Sequence, residues 1–393
     1  MTDALNRREL LRRAAAGGAF LTLPGVLAAC GGSSTKSAAT SASGDKTLAK
    51  TLRFSNWTLY IDTNNKKKTH PSLAEFQKKY GTHVQYTEDI NDNASYFGKI
   101  QGPLSRGQSI DRDIVVLTDN DRYLSLMIKK GWAEKLDKSA IPNMKNLVDV
   151  QLHPGFDPNR DYSLPWQSGM TGIAYNDKLT DPVLSIDDLL TNPKLKGKIT
   201  VLNSMGDALT CVMLANGDDP TKVTDASFNK AFNRIKAAVD SKQIRQFTGN
   251  DYAPSLAKGD LAAAMSWSGD IAQIGNAHIH WNVPAAGGAL WTDNMLIPKG
   301  GNIYTASVYM NYVYDPKVAA LIEGGNPKTG DTGVYYICPV KGAREALLAS
   351  DPAIAKNVLI FPTKKMLDNV KIFDSNALNN QKYLTAWQNL VSG

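Results

Sequence analysis

The chain has 393 residues, enough for two compact lobes, and 42% of it is apolar, as in ordinary globular proteins. Its formal charge is +7, from 44 basic and 37 acidic side chains, and two of those charges belong to the amino terminus (Arg7, Arg8, Arg12 and Arg13 against Asp3 and Glu9). The lysines are dispersed apart from Lys66-Lys67-Lys68, so the surplus reads as a solvated surface and not as a nucleic-acid footprint.

The first 29 residues read as a signal peptide, with a charged segment around Arg7-Arg8 followed by an Ala- and Gly-heavy apolar run from Ala14 to Ala29. That run is too short and too weakly apolar for a membrane span, which takes about 20 residues. Leu27-Ala28-Ala29-Cys30 resembles the bacterial lipobox, which implies cleavage before Cys30 and lipidation of its thiol. The paired arginines also resemble a twin-arginine export signal, with Asn6 where that pattern has Ser or Thr, so this route and ordinary secretion both stay open. Residues 30–46 are dominated by Gly, Ser, Thr and Ala and should form a flexible tether.

From residue 50 onward strands alternate with helices. Leu52 to Asn56 reads as a strand, Pro71 to Tyr80 as a helix stopped by Gly81, and His83 to Tyr86 as a strand. Asp113 to Thr118 is a short β-branched run of the kind buried in parallel sheets, followed by a helix from Arg122 to Lys130. The pattern resumes with strands at Gly172 to Asn176 and Lys198 to Leu202, an amphipathic helix marked by Phe228, Phe232, Ile235 and Val239, and a strand at Leu261 to Trp267. These runs predict an α/β fold of two lobes joined by crossover strands, with crossings near 169–172 and 291–298. The expected division is 47–170 with 291–340 in one lobe and 171–290 with 341–393 in the other.

Hydrolase, nucleotide-binding and zinc-protease signatures are missing, no cofactor is called for, and no nucleophile–base pair nominates an enzyme. His278-Ile279-His280 would place two imidazoles on one side of a strand, without a third ligand to complete a metal site. Cys211 and Cys338 could pair or remain as two separate buried thiols. What stands out is aromatic residues beside polar ones at strand ends: Asn56-Trp57-Thr58-Leu59-Tyr60, Ser266-Trp267-Ser268-Gly269-Asp270 and Leu290-Trp291-Thr292-Asp293. Ligands of open α/β sheets lie outside the carboxyl ends of strands. Indole and phenol faces with a carboxylate nearby suit an alkylammonium.

At these residues the chain resembles the spermidine/putrescine-binding proteins of polyamine ABC transporters, members of the type II periplasmic binding-protein fold. The marks are Asn56-Trp57-Thr58-x-Tyr60, Asp161-Tyr162-Ser163-Leu164-Pro165 leading to Gly169 and Asn176, Trp267-Ser268-Gly269, Gly287-Gly288 through Trp291-Thr292-Asp293, and Tyr335-Tyr336 before Pro339. The resemblance implies a ligand cleft between the lobes, with Trp57, Tyr60, Trp267, Trp291 and Tyr336 as sandwiching aromatics. It places an ammonium-pairing acid at Asp293, a second acid at Asp207 and a polar contact at Thr58, while Thr118 and Asp119, beside Asn120, stand where the family has Ser and Tyr. It further implies an extracytoplasmic, lipid-anchored monomer that hands a polyamine to an ABC permease. The competing readings are a receptor of the same fold for another amine-containing solute, a secreted lipoprotein enzyme and a structural surface lipoprotein.

Overall fold

The computed structural model describes residues 46–393. The signal peptide, the lipobox with Cys30 and nearly all of the tether lie outside the described residues. The strands in chain order are β1 (Thr51–Trp57), β2 (Thr63–Asn64), β3 (His83–Ile90), β4 (Ile114–Thr118), β5 (Ser163–Asn176), β6 (Ile199–Leu202), β7 (Ile244–Thr248), β8 (Ala263–Trp267), β9 (Ile279–Asn282), β10 (Gly288–Leu296), β11 (Gly325–Asn326), β12 (Asp331–Thr332) and β13 (Val370–Lys371).

The architecture is two-lobed α/β, organised by one sheet in the order β3-β1-β4-β10-β5-β8-β6-β7. One end, β3-β1-β4, is parallel, and so is the other, β8-β6-β7. Between them β5 and β10 run antiparallel to each other and to their outer neighbours. Strand β5 changes partner along its length: residues up to Thr171 register with β10, and from Thr171 onward it registers with β8. A single 14-residue strand thus serves both lobes. The sequence reads as extended only from the crossing at 169–172 through Asn176, because Pro165 and the two glycines interrupt the β-branched pattern that marks a strand.

Those interruptions have tertiary reasons. A Cβ on Gly172 would lie 2.3 Å from the carbonyl oxygen of Asn282 on β9, so only glycine lets the two backbones approach. Strands β4, β6 and β8 are buried along their whole length, the consequence of helices covering both faces of a parallel sheet.

The helix Pro71–Tyr80 begins on a proline at its first turn and ends on Gly81, whose φ of 72° lets its N–H bond the carbonyl of Gln77. Asp225–Asp240 starts with a reciprocal Thr224–Ser227 cap and buries Phe228, Ala231, Ile235 and Ala238. Helix Ala343–Ser350, expected in the second lobe, packs instead beside Pro316–Gly324, where Leu347 and Ala355 meet Ala320. Further along, β13 pairs in parallel with the start of β10.

Cys211 and Cys338 are separate, buried free thiols. His278 and His280 do meet a third group, and it is Asp177: the rings lie 3.0 and 2.7 Å from its two carboxylate oxygens, a polar clasp just past the end of β5. Among the described residues no helix is long and apolar enough to cross a membrane.

Candidate ligand-binding site

The site forms where the two parallel blocks face each other across β5 and β10. After Trp57 the chain must turn sharply, and Leu59 takes a left-handed conformation (φ 56°) while its N–H donates to Glu88 at 2.9 Å. The Asn56 side-chain amide and the Trp166 indole N–H then both donate to the carbonyl of Tyr60, at 3.3 and 3.2 Å. This anchoring aims the Tyr60 hydroxyl at Asp293, to which it donates at 2.7 Å.

Asp293 sits on β10 opposite Thr118 of β4, whose hydroxyl donates to its other oxygen at 2.5 Å. Two residues earlier, on the same face by strand alternation, is Trp291. Its indole lies against Gly169 of β5, where a Cβ would come within 2.4 Å of the ring, and its N–H donates to Thr171 at 3.1 Å.

From the other block, Asp207 lies in the first turn of helix Met205–Ala215, capped by Ser204. It accepts hydrogen bonds from Thr171 and from the indole of Trp267. Asp270, in the first turn of helix Ser268–Ile274, accepts from Tyr252 (2.7 Å), Asn250 (2.9 Å) and Tyr336 (2.6 Å). Tyr336 is held in place because the next residue, Ile337, forms a two-way backbone bridge with Ser168 of β5.

The rings make a continuous chain from one block to the other. Trp57 meets Trp267 at 5.9 Å between centroids, Trp267 meets Trp291 at 6.1 Å, Trp291 meets Tyr336 at 5.6 Å, and Tyr336 meets Tyr60 at 4.9 Å. All five side chains are buried. The cavity they enclose measures about 30 Å³, room for a water or two, so anything larger enters only if the rings part.

Three carboxylates line this cavity, and none of its lining residues is Lys, Arg or His. Burial penalises their charged forms. It pushes the Asp293 carboxyl up to about 7 against the pull of the Thr118 and Tyr60 hydrogen bonds, with Asp119 and Asp207 repelling its charge further. Asp207 and Asp270 are raised for the same first reason. The cavity is thus short of positive charge: a cation brought among these acids would relieve repulsion that otherwise favours taking up protons. Trp57 Nε1, Asn120 Nδ2 and Asn250 Oδ1 are buried there without a partner.

Trp57, Thr58, Tyr60, Thr118, Asp207, Trp267, Trp291, Asp293 and Tyr336 are brought together as lining residues. Asp119 is not: next to inward-facing Thr118, it turns the other way and its carboxylate accepts the backbone N–H of Thr292 at 2.8 Å. Sequence reasoning passed over Asn93, Asn250 and Asp270, and left Asn120 as a neighbour of Thr118. Asp270 stood inside the Ser266–Asp270 cluster and could have been chosen. Asn93 and Asn250 follow the ends of β3 and β7, where the strand-end rule would have flagged them.

A profile of the bacterial extracellular solute-binding proteins matches residues 72–324, well over half of the chain. This protein belongs to that family. The chain is 26% identical over 349 residues to the spermidine/putrescine-binding periplasmic protein of Escherichia coli K12, covering 87% of this chain and 92% of the relative. It is 29% identical over 371 residues to the putrescine-binding periplasmic protein PotF of the same organism, covering 88% and 92%. Among solved structures, the Tp0655 lipoprotein of Treponema pallidum superposes with a TM-score of 0.68 at 20% identity, over 87% of this chain and all of the other, which shows the shared fold.

Proposed function

We propose that this protein captures a polyamine of the putrescine/spermidine type outside the cytoplasm and delivers it to the permease of an ABC importer. The observation that carries the reading is the cavity itself: Asp207, Asp270 and Asp293, buried among five aromatic rings with no lining base. Each ring face is worth about 0.5–2 kcal/mol to an ammonium. Burying four methylenes adds about 3 kcal/mol at ~0.8 each. The acids contribute charge-assisted hydrogen bonds and decide which cation fits. The names of the E. coli relatives agree with this cargo.

The task is capture and not catalysis. The lobes, taken as 47–170 with 291–340 and 171–290 with the chain from β13 onward, open and close about the two shared strands, a hinge motion. Tyr336–Asp270 and Trp57–Trp267 span the cleft and tie it shut. A ligand shifts the equilibrium toward closure only by binding the closed form more tightly, which the converging acids provide. Cys30, once lipidated, would anchor a monomer to the membrane through the 30–46 tether, after export by the twin-arginine or the general route. No cofactor enters this reading.

Trp57, Trp267 and Trp291 report on the cleft, so intrinsic fluorescence titrated with putrescine, spermidine, spermine and unrelated solutes tests the cargo. A saturable response confined to polyamines is expected. Silence toward all of them removes the cargo and leaves the fold.

A further inference from the structure

Helix Pro316–Gly324 carries near its end an acid that does not line the aromatic cavity. Glu323 is wholly buried, 0% exposed, and neither of its carboxyl oxygens has a hydrogen-bond partner. It borders a separate pocket of about 10 Å³, space for about one water, which Gln167, Tyr314 and Cys338 also line. No Lys, Arg or His lines that pocket, and Gln167 Oε1 is likewise buried without a donor. Three buried acceptor oxygens thus share surroundings that offer no cation and almost no solvent to screen a charge.

The segment that carries Tyr336 is laid over this acid. The N–H groups of Val334 and Tyr335 donate to the carbonyls of Ile322 and Glu323 at 2.9 and 3.1 Å, and a Cβ on Gly333 would collide with the Glu323 carbonyl oxygen. Tyr335 is left-handed (φ 55°), a conformation that a bulky residue adopts only where its surroundings hold it. Next comes Tyr336, whose hydroxyl donates to Asp270 and whose ring meets Tyr60. The Glu323 carboxyl faces the Tyr336 backbone N–H, the Gln167 side chain and the Cys338 thiol, and a charge there would also act on Tyr60. Gln167 in turn pairs across the strands with Asp293. Glu323 therefore stands behind both tyrosines that donate to acids of the site.

We propose that Glu323 is a positioning residue for the ligand site, an uncharged acid that fixes the 333–338 segment and with it the aim of the Tyr336 hydroxyl at Asp270. An ionised Glu323 would be a buried carboxylate with no cation and almost no water, near the negative end of a helix. Protonated, its O–H can donate to the Gln167 amide oxygen, which has no other donor. Burial also pushes this carboxyl well above the ordinary carboxylate range, with Cys338, Gln167 and the Tyr336 N–H offsetting only part of the push. The titratable groups around it, Cys338 and Tyr314 at the pocket and Tyr60 and Tyr336 on the ligand side, are all shifted upward by burial, so none supplies a charge to balance it. A ligand thus meets three acids and not four: Glu323 sets where Tyr336 stands and adds no charge. This deepens the polyamine reading and rests on it.

Comparing the native protein with Glu323→Gln and Glu323→Leu separates position from charge. In calorimetric titrations with putrescine and spermidine, Glu323→Gln keeps shape and neutrality and should bind within about two-fold of the native protein. Glu323→Leu keeps only bulk and should bind about ten-fold more weakly, with its unfolding temperature retained. If Glu323→Leu does not fold, Glu323→Met, unbranched and of similar reach, carries the same comparison. The unfolding temperature gives a second readout. Above its ordinary 4.5 the carboxyl ionises in the unfolded chain while the folded one keeps its proton, so native stability should fall relative to Glu323→Gln as pH rises from about 5 to about 8. Native affinity in Glu323→Leu overturns the positioning role, and so does a loss in Glu323→Gln as large as in Glu323→Leu, which would make the charge the property the ligand needs. A difference in unfolding temperature that does not change with pH overturns the buried proton. A native protein that binds neither amine overturns the polyamine reading and the positioning role together, and the unfolding comparison separates that failure from an error about Glu323 itself.

Discussion

The two acids at opposite sides of the cavity are built differently. Asp293 is a strand residue, and its partners Thr118 and Tyr60 belong to the same parallel block. Asp270 is a helix residue whose partners come from both sides: Asn250 and Tyr252 lie near it in the chain, while Tyr336 reaches it across the cleft. Under the proposed capture, the first acid would keep its bonds in an open cleft, whereas the second would lose the Tyr336 bond on opening.

Neutralising each acid in turn tests that difference. Asp270→Asn is expected to weaken polyamine binding about a hundred-fold, because it removes a charge partner and loosens the Tyr336 tie together. Asp293→Asn should weaken it by more than about ten-fold with thermal stability retained, since the shape survives and the charge does not. Affinities come from calorimetry, and small-angle scattering of the ligand-free variants should show a more open Asp270→Asn. If Asp293→Asn binds as tightly as the native protein, Asp293 is structural.

Acidity sharpens the same contrast. Above its ordinary 3.8 the unfolded Asp293 is ionised, while the folded, ligand-free carboxyl keeps its proton until about 7. Ligand-free stability therefore contains a contribution that falls as pH rises from 3.8 towards 7 and is level above it. A bound ammonium favours the ionised form, so affinity should rise about ten-fold between about pH 6 and pH 8, with proton release on binding. In Asp293→Asn the part of that rise belonging to Asp293 should be gone, which calorimetry in buffers of different ionisation enthalpy will show.

The smallest expected effect comes from Gly269→Ala. The added Cβ would lie 2.4 Å from the Tyr336 ring, so the ring must shift and its bond to Asp270 must lengthen. Binding should weaken by about five-fold, from strain of about 1 kcal/mol. The tyrosine-to-tryptophan contacts seen in fluorescence should change with it.

Much of the cavity was legible because its chemistry clusters at strand ends. Trp57, Trp267 and Trp291 each stand beside polar residues at the end or along the strand that carries them, and Asp293 shares a face with Trp291 by simple alternation. The antiparallel central pair was harder to read. Strand β5 carries Pro165, Gly169 and Gly172, which look like interruptions until Trp291 and the backbone of β9 are seen packed against the two glycines. Asp119 misled for a related reason: one residue along a strand end reverses the side chain's direction, and the turn after β4 hands it to the Thr292 backbone.

By itself the sequence determined the alternation of strands and helices, the two-lobed α/β class and the residue types available to meet a cation, because these follow from local periodicity and from which side chains sit at strand ends. Only the tertiary structure decided that Asp270 and Tyr336, 66 residues apart, share a hydrogen bond and that Asn250 is left with an unpaired oxygen. The physical reason is that hydrogen-bond pairing and cavity shape depend on distances between segments remote in the chain, which no local pattern encodes.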